Sequence, residues 1–516
     1  MLTNKLIKLV FVLVVALIGM WLMLSPTSRY GAGISSDSAT YISAADSFAV
    51  GVGFFDYKGD PLVDFPPLYP LILGSLTYLS GVTPFVWARL INAVAMSLLV
   101  ISCALLFLRC FPYQPLWLFI GTASILFFPS FYIIGANVGA DLLYILFSVW
   151  FCLVAQKFLA TKSVIWLAFL SLLALLGSML RWIGLCMLVT QLLLIAIAYR
   201  REIKKAALYV LIFGGLAAIP FALWVVGRNY LNYGTFIGSM DAAAVSVWQN
   251  LAFSSARIAQ WFFATPSVFW LQVVAIGLIF LLSINHKEDW QRWLSRLLSN
   301  SFLPVILLTL VYLGSIVLTV YNTDHYEAYD DRLQVPIFFA LIIIWFSLLD
   351  ELVFIHLSGR VKIAGIFLIV VMTGVGLIYP ISTIIQFTRL SNENGVVFYN
   401  LYNTKEMVRS GLVVYLKEHP IDINVPIYSN EPEAVYFFTR HPVEQSPYDI
   451  ENYKARPANI TTQYANWPPE DEAYLVWFSS SYKKHHYDPE ALTQLAELNP
   501  LYKRADGAIY LVERKK

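Results

Sequence analysis

Charge is scarce in this sequence. Asp, Glu, Lys and Arg make up 13% of its 516 residues, against 58% hydrophobic ones. A soluble domain carries roughly 25% charged residues, so this chain needs lipid as part of its solvent. Cysteine is nearly absent as well. Cys103, Cys110, Cys152 and Cys186 lie in or at the ends of apolar runs and none has a CxxC partner, so they read as packing residues rather than disulfides or metal ligands. The net charge of +2 excludes nothing by itself, and no polybasic tract suggests nucleic acid. The polar C-terminal part holds no Gly-rich phosphate loop and no catalytic signature, and no internal repeat is visible.

Long apolar stretches fill the space that charge leaves. About eleven runs can cross a bilayer: roughly 5–24, 84–108, 113–134, 141–158, 163–180, 183–199, 206–226, 267–284, 302–321, 333–353 and 363–386. The first has a basic start but lacks a small-x-small cleavage pattern after it, so it reads as an uncleaved span. The segment 66–80, "PPLYPLILGSLTYLS", is apolar but short and opens on Pro-Pro, which predicts an interfacial helix.

Lys and Arg bias orients the spans. With the N-terminus in the cytoplasm, the links "LRCFPYQ", "QKFLATKS", "YRREIKKA", "HKEDWQRWLSR" and "LSGRVK" all fall inside. The opposite side collects Asp37, Asp46, Asp56, Asp60, Asp64, Asp141, Asp241, Asp324, Asp330 and Asp331. It also holds the long links, about 25–83 and 227–266, and everything after about 388. The expected architecture is therefore a polytopic α-helical membrane domain over 1–388 and a small extracytoplasmic α/β domain over 389–516. In the latter, "NVPIYSN" and "EAYLVWFSS" predict strands, "EPEAVYFFTR" and "DPEALTQLAELN" helices, and "LYKRADGAIYLVE" a hairpin at Asp506-Gly507.

Several outward residues can carry chemistry. Asp37 opens a helical pattern with Tyr41 on the same face, and Ser35 or Ser36 can cap it; an acid there is favoured by the helix terminus even without a further role. Asp141 is the lone carboxylate at the start of the fourth span. Arg181, Arg228 and Arg332 fall at outward span ends and Arg89 begins the second span. The positive-inside rule disfavours arginine there; snorkelling accounts for any single one, whereas several at one depth suit an anionic ligand such as a lipid phosphate. His325, beside Asp324 and Glu327, is either a solvated loop residue or a metal ligand.

The order of these motifs resembles family 39 glycosyltransferases of the GT-C membrane class, to which protein O-mannosyltransferases and lipid A aminoarabinose transferases are related. It runs from Asp37 and Tyr41 through "PPLYPLI", "ARL", "GADLLYILF", "LRWIGL", "GRNYLNYGTFIGS" and "YDDRLQVPIFFALIII", and so covers the membrane part collinearly. Two positions depart from the pattern. Ser38 follows Asp37 where many relatives have Glu, and Phe65 precedes Pro-Pro-Leu where the aminoarabinose enzymes have Lys, which argues against that particular activity.

The resemblance implies an inverting transfer from a polyprenyl-phosphate sugar at the outer face of a bacterial cytoplasmic membrane. Asp37 matches the catalytic carboxylate and Asp141 the second acid. Arg181, Arg228, Arg332 and Arg89 are the phosphate-binding candidates, and Tyr41, Tyr69 and His325 the pocket candidates. The acceptor, whether lipid, protein or glycan, is open. A divalent metal is compatible with the abundance of acids, although no tight ligand spacing supports one. A lipid or polysaccharide transporter is the alternative, against which stands the near absence of ions inside the spans.

Overall fold

The computed structural model describes residues 2–238, 246–263, 265–283, 287–322, 331–399, 401–422, 424–448, 450–451, 456–457, 460–480 and 485–515. Its first helices are α1 (Leu2–Leu24), α2 (Ser36–Ala49), α3 (Leu68–Ser80), α4 (Pro84–Cys110), α5 (Pro115–Leu126), α6 (Pro129–Gly135) and α7 (Asp141–Thr161). They are followed by α8 (Val164–Leu180), α9 (Leu185–Ala198), α10 (Ile203–Tyr233), α11 (Val247–Gln260) and α12 (Pro266–Ser283). The last of the bundle are α13 (Lys287–Leu297), α14 (Leu303–Asn322), α15 (Arg332–His356) and α16 (Gly359–Asn394).

Among the described residues, six helices are long and apolar enough to cross a membrane: α1, α4, α7, α10, α15 and α16. The bent pair α5–α6 makes a seventh, with an angle of 41° at the break. Pro129 opens α6 and has no N–H to continue the ladder, so the run predicted over 113–134 bends instead of crossing straight. Four other predicted spans are apolar helices too: α8, α9, α12 and α14. At the centre, α4 packs on α1, α5 and α7, and its Asn92, Met96 and Leu99 are fully buried.

The first long link is itself built. α3 lies on α2, close enough that a Cβ at Gly74 would sit 2.7 Å from the Ala45 carbonyl oxygen, so only glycine lets the two backbones approach. α3 ends at Gly81 in the left-handed conformation, which only a residue without Cβ adopts cheaply.

The C-terminal part adds α17 (Lys405–Arg409), α18 (Gly411–Glu418), β1 (Ile427–Ser429), α19 (Pro432–Thr439), β2 (Glu444–Gln445), β3 (Ile450–Glu451), β4 (Arg456–Pro457), α20 (Ile460–Gln463), β5 (Glu472–Phe478), α21 (Pro489–Leu492), β6 (Ala496–Arg504) and β7 (Gly507–Arg514). Its main sheet has the order β2-β1-β5-β7-β6, parallel around β1 and antiparallel from β5 onward. One expectation changes here. Asp488 does cap a helix, accepting from the Ala491 N–H at 2.8 Å, but that helix is a single turn. The chain then enters β6, because residues 496–504 pair along the whole of β7; pairing with the other arm of this hairpin overrides local helix propensity. One apolar cluster is continuous from the bundle to the sheet, joining Tyr69 and Phe338 with Tyr402, Leu412 and Ile509.

Candidate active site

Two short segments fix the start of α2 relative to the start of α7. Gly33 pairs in parallel with Asn137: its N–H donates to Ala136 O at 2.9 Å, and the Val138 N–H returns to Gly33 O at 3.1 Å. Asn92 on α4 holds the same turn from below, donating to Gly135 O at 2.8 Å and to Asn137 O at 3.1 Å. Ser35 caps α2 by accepting the Ser38 N–H. The Ser38 hydroxyl, fully buried, donates to Val138 O at 2.7 Å. The residue that departs from the family pattern is therefore a strut between the segments that carry Asp37 and Asp141.

Those two acids meet two arginines. Arg332 Nη2 lies 2.9 Å from Asp37 Oδ2 and 3.4 Å from Asp141 Oδ2, while Arg181 pairs with the other oxygen of Asp141. Arg181 stands where α8 ends, in an extended conformation that turns its side chain out of the helix. Close packing of Gly184 against the Gly177 carbonyl leaves no room for a Cβ at that break. The two acids and two arginines balance in charge, as a partly buried cluster requires. Exposure separates the acids: the Asp141 side chain is 6% exposed and Asp37 24%. Asp37 is the carboxylate that an incoming group can reach.

Aromatic side chains flank the cluster. Tyr41, one turn after Asp37, has its ring 4.9 Å from Phe65 and 5.1 Å from Tyr69, the latter edge-on and fully buried. Phe65 belongs to a stretch held by two other side chains. Arg228 donates to Leu62 O, and Trp182, next to Arg181, donates to Asp64 O at 2.7 Å. Arg228 also donates to Asn229 Oδ1 at 2.8 Å and lies over the rings of Trp224 and Tyr233. Arg89 bonds Thr27 Oγ1 at 2.7 Å and Leu24 O at 3.3 Å. Of the four arginines, Arg181 and Arg332 thus join the acids, whereas Arg89 and Arg228 are engaged with the backbone at the end of α1 and in the first link. His325 lies outside the described residues.

Two features were not visible in the sequence. Asp46, one of the acids assigned to the outward side, accepts from Tyr436 and Arg440 of the C-terminal domain, both at 3.2 Å. The reason is tertiary: α19 packs on α2. The second is an apolar cavity of about 420 Å³ bounded by Phe128, Trp261, Phe262, Phe338, Met372 and Pro380, among others. It is coupled to the charged cluster through α15. Arg332 begins that helix, Gln334 donates to Ser254 on α11 at 3.0 Å, and Phe338 lines the cavity. Six residues of helix separate Arg332 from Phe338, roughly 10 Å of rise. No signal in one sequence marks such a cavity, because its walls come from five separate helices, α5, α11, α12, α15 and α16.

By sequence, the chain matches no protein-family profile and no curated relative. Its fold does match solved structures. The crystal structure of ArnT from Cupriavidus metallidurans bound to undecaprenyl phosphate superposes with a TM-score of 0.60 at 13% identity, over 98% of this chain and 97% of that one. The apo state of the same ArnT gives 0.56 at 12% identity, over 99% and 98%. Agreement across nearly the whole of both chains takes in the helical bundle and the C-terminal domain together. The chain has the ArnT fold.

Proposed function

We propose that this protein is a membrane glycosyltransferase that moves a sugar from a polyprenyl phosphate to an acceptor at the outer face of the cytoplasmic membrane. The observation that carries the reading is the bridging of Asp37 and Asp141 by Arg332, at the head of a helix that also walls a large apolar cavity. A lipid-linked sugar needs this combination: a greasy slot for the prenyl chain, cations for the phosphate and a carboxylate for the acceptor. The fold agrees, since a structure of the same architecture holds undecaprenyl phosphate. The motif order of the sequence points to the same class.

In the reaction, the acceptor oxygen or nitrogen attacks the anomeric carbon as its proton passes to Asp37. The bond from that carbon to the phosphate oxygen breaks, and polyprenyl phosphate leaves with one more negative charge than it carried as a diester. Attack opposite the leaving phosphate inverts the anomeric centre. A carboxylate within ~2.6–3.2 Å of the acceptor serves as the base. Arg332 and Arg181 stabilise the charge that grows on the phosphate, a role for which the planar guanidinium fork is suited. Asp141 holds both arginines in place. Phe65, half-buried and packed on Tyr41, offers a flat apolar face.

The test is turnover of synthetic donors. Purified protein in lipid nanodiscs is supplied with undecaprenyl-phosphate-linked hexoses and an envelope extract as acceptor source. Acceptor-dependent release of undecaprenyl phosphate supports transfer. Movement of intact lipid-linked sugar between leaflets, with no cleavage, would instead establish a transporter.

A further inference from the structure

The C-terminal domain grips the first link at both ends of α2. Ahead of the helix, the linker leaving α16 lies along residues 30–34. Its Leu401 and Tyr402 N–H groups donate to Ile34 O at 2.9 and 3.3 Å. The buried Asn403 side chain donates to Tyr30 O at 2.6 Å and to Ala32 O at 2.9 Å. Beyond the helix, Tyr436 and Arg440 hold Asp46. Further on, Tyr57 donates to Glu433 at 3.1 Å, and the Val443 N–H donates to Tyr57 O at 2.9 Å.

The place of this grip is informative. In sheets with parallel strands, ligands bind beyond the carboxyl ends of the strands. Beyond β1 come Glu431 and Glu433, both buried, and among the groups that meet them are Tyr402 and Tyr57 of the same chain. The chain itself fills the position that a ligand would take, so this end of the sheet serves as a socket for the first link.

We propose that the C-terminal domain is a positioning device for the start of α2, and that Asn403 is the residue through which it acts on Asp37. The segment it clamps, 30–34, is sandwiched. Gly33 faces the turn before Asp141 on one side, and the linker closes the other. Releasing Asn403 frees the cap of α2, and with it the carboxylate 2.9 Å from Arg332. The catalytic consequence rests on the reading of Asp37 as the base; the positional claim stands on the contacts.

The experiment compares Asn403→Ala and the nearly isosteric Asn403→Asp with the parent in nanodiscs. Amide hydrogen exchange is expected to rise over residues 33–42 while remaining at parent values in α7. Binding of undecaprenyl phosphate should stay within about twofold, while kcat with an undecaprenyl-phosphate hexose falls about 10–100-fold at unchanged KM, as ångström-scale misplacement of a reacting group predicts. Unchanged exchange over 33–42 in both variants would overturn the proposal, as would loss of phosphate binding matching the loss of turnover. Should Asp37→Asn keep full turnover, the base assignment fails and the exchange data still decide the role of Asn403. Should Asp37→Asn be inactive and Asn403→Ala fully active, the positioning claim alone fails.

Discussion

The Nη2 atom of Arg332 lies 2.9 Å from Oδ2 of Asp37. One of these side chains is the proposed base and the other the proposed phosphate ligand, so each occupies the other before the donor arrives. In the proposed mechanism a donor phosphate would compete with Asp37 for the same guanidinium.

Arg332 should not tolerate lysine. It meets both Asp37 and Asp141, and an ammonium is a point charge without the planar fork. Arg332→Lys is expected to lower kcat by about 10²–10³-fold, the usual loss when one charge-stabilising donor is removed. Binding of undecaprenyl phosphate to the variant, measured by calorimetry, should weaken as well. Unaltered binding and turnover would remove Arg332 from the site.

Ser38 should matter through distance rather than charge. Its buried hydroxyl is the direct link from α2 to Val138 O. Ser38→Ala leaves that carbonyl without this donor, costing about 1–3 kcal/mol of stability, with kcat falling more than KM changes. Ser38→Glu, the residue common in relatives, would place a carboxylate at a fully buried position and should fail to fold. Thermal melting and steady-state kinetics on both variants check this.

Asp46 predicts a pH effect. Burial holds its carboxyl above the ordinary Asp value of 3.8, outweighing the Arg440 charge and the Tyr436 hydrogen bond that act the other way. The folded state therefore binds this proton more readily than the unfolded state does. Stability should rise as pH falls through the raised value toward 3.8. Asp46→Asn lacks the titration, so its melting temperature should vary less than the parent's between about pH 4 and 7. Equal slopes would show that Asp46 is solvated in the folded protein.

Much of the bundle was legible because apolar runs of membrane length have few alternatives to a helix. Asp37 and Asp141 stand out through the order of short motifs, and the cap of α2 is narrowed by sequence to Ser35 or Ser36, of which the structure uses Ser35. The pairing of Arg181 and Arg332 with them was not readable. An arginine at a helix end looks the same in sequence whether it meets a carboxylate, as Arg332 does, or a backbone carbonyl, as Arg89 does at Leu24 and Arg228 at Leu62. The partner is chosen by helix packing over separations such as the 295 residues between Asp37 and Arg332. The partners of Asp46 are hidden in the sequence for the same reason, since α19 reaches it from nearly 400 residues away. The hairpin at Asp506-Gly507 is legible, but the first residues of β6, 496–499, read as the end of a helix because they continue the run that Asp488 opens.

The most direct measurement is single-turnover release of undecaprenyl phosphate by Asp37→Asn, in nanodiscs, from the hexose donor that the parent protein uses. Asparagine keeps the shape and one hydrogen-bond acceptor but cannot take the acceptor's proton. The account predicts a rate lower by at least about 10²-fold, the lower end of what a general base contributes, with the variant folded and still binding undecaprenyl phosphate. A folded Asp37→Asn protein that releases undecaprenyl phosphate at the parental rate would contradict it.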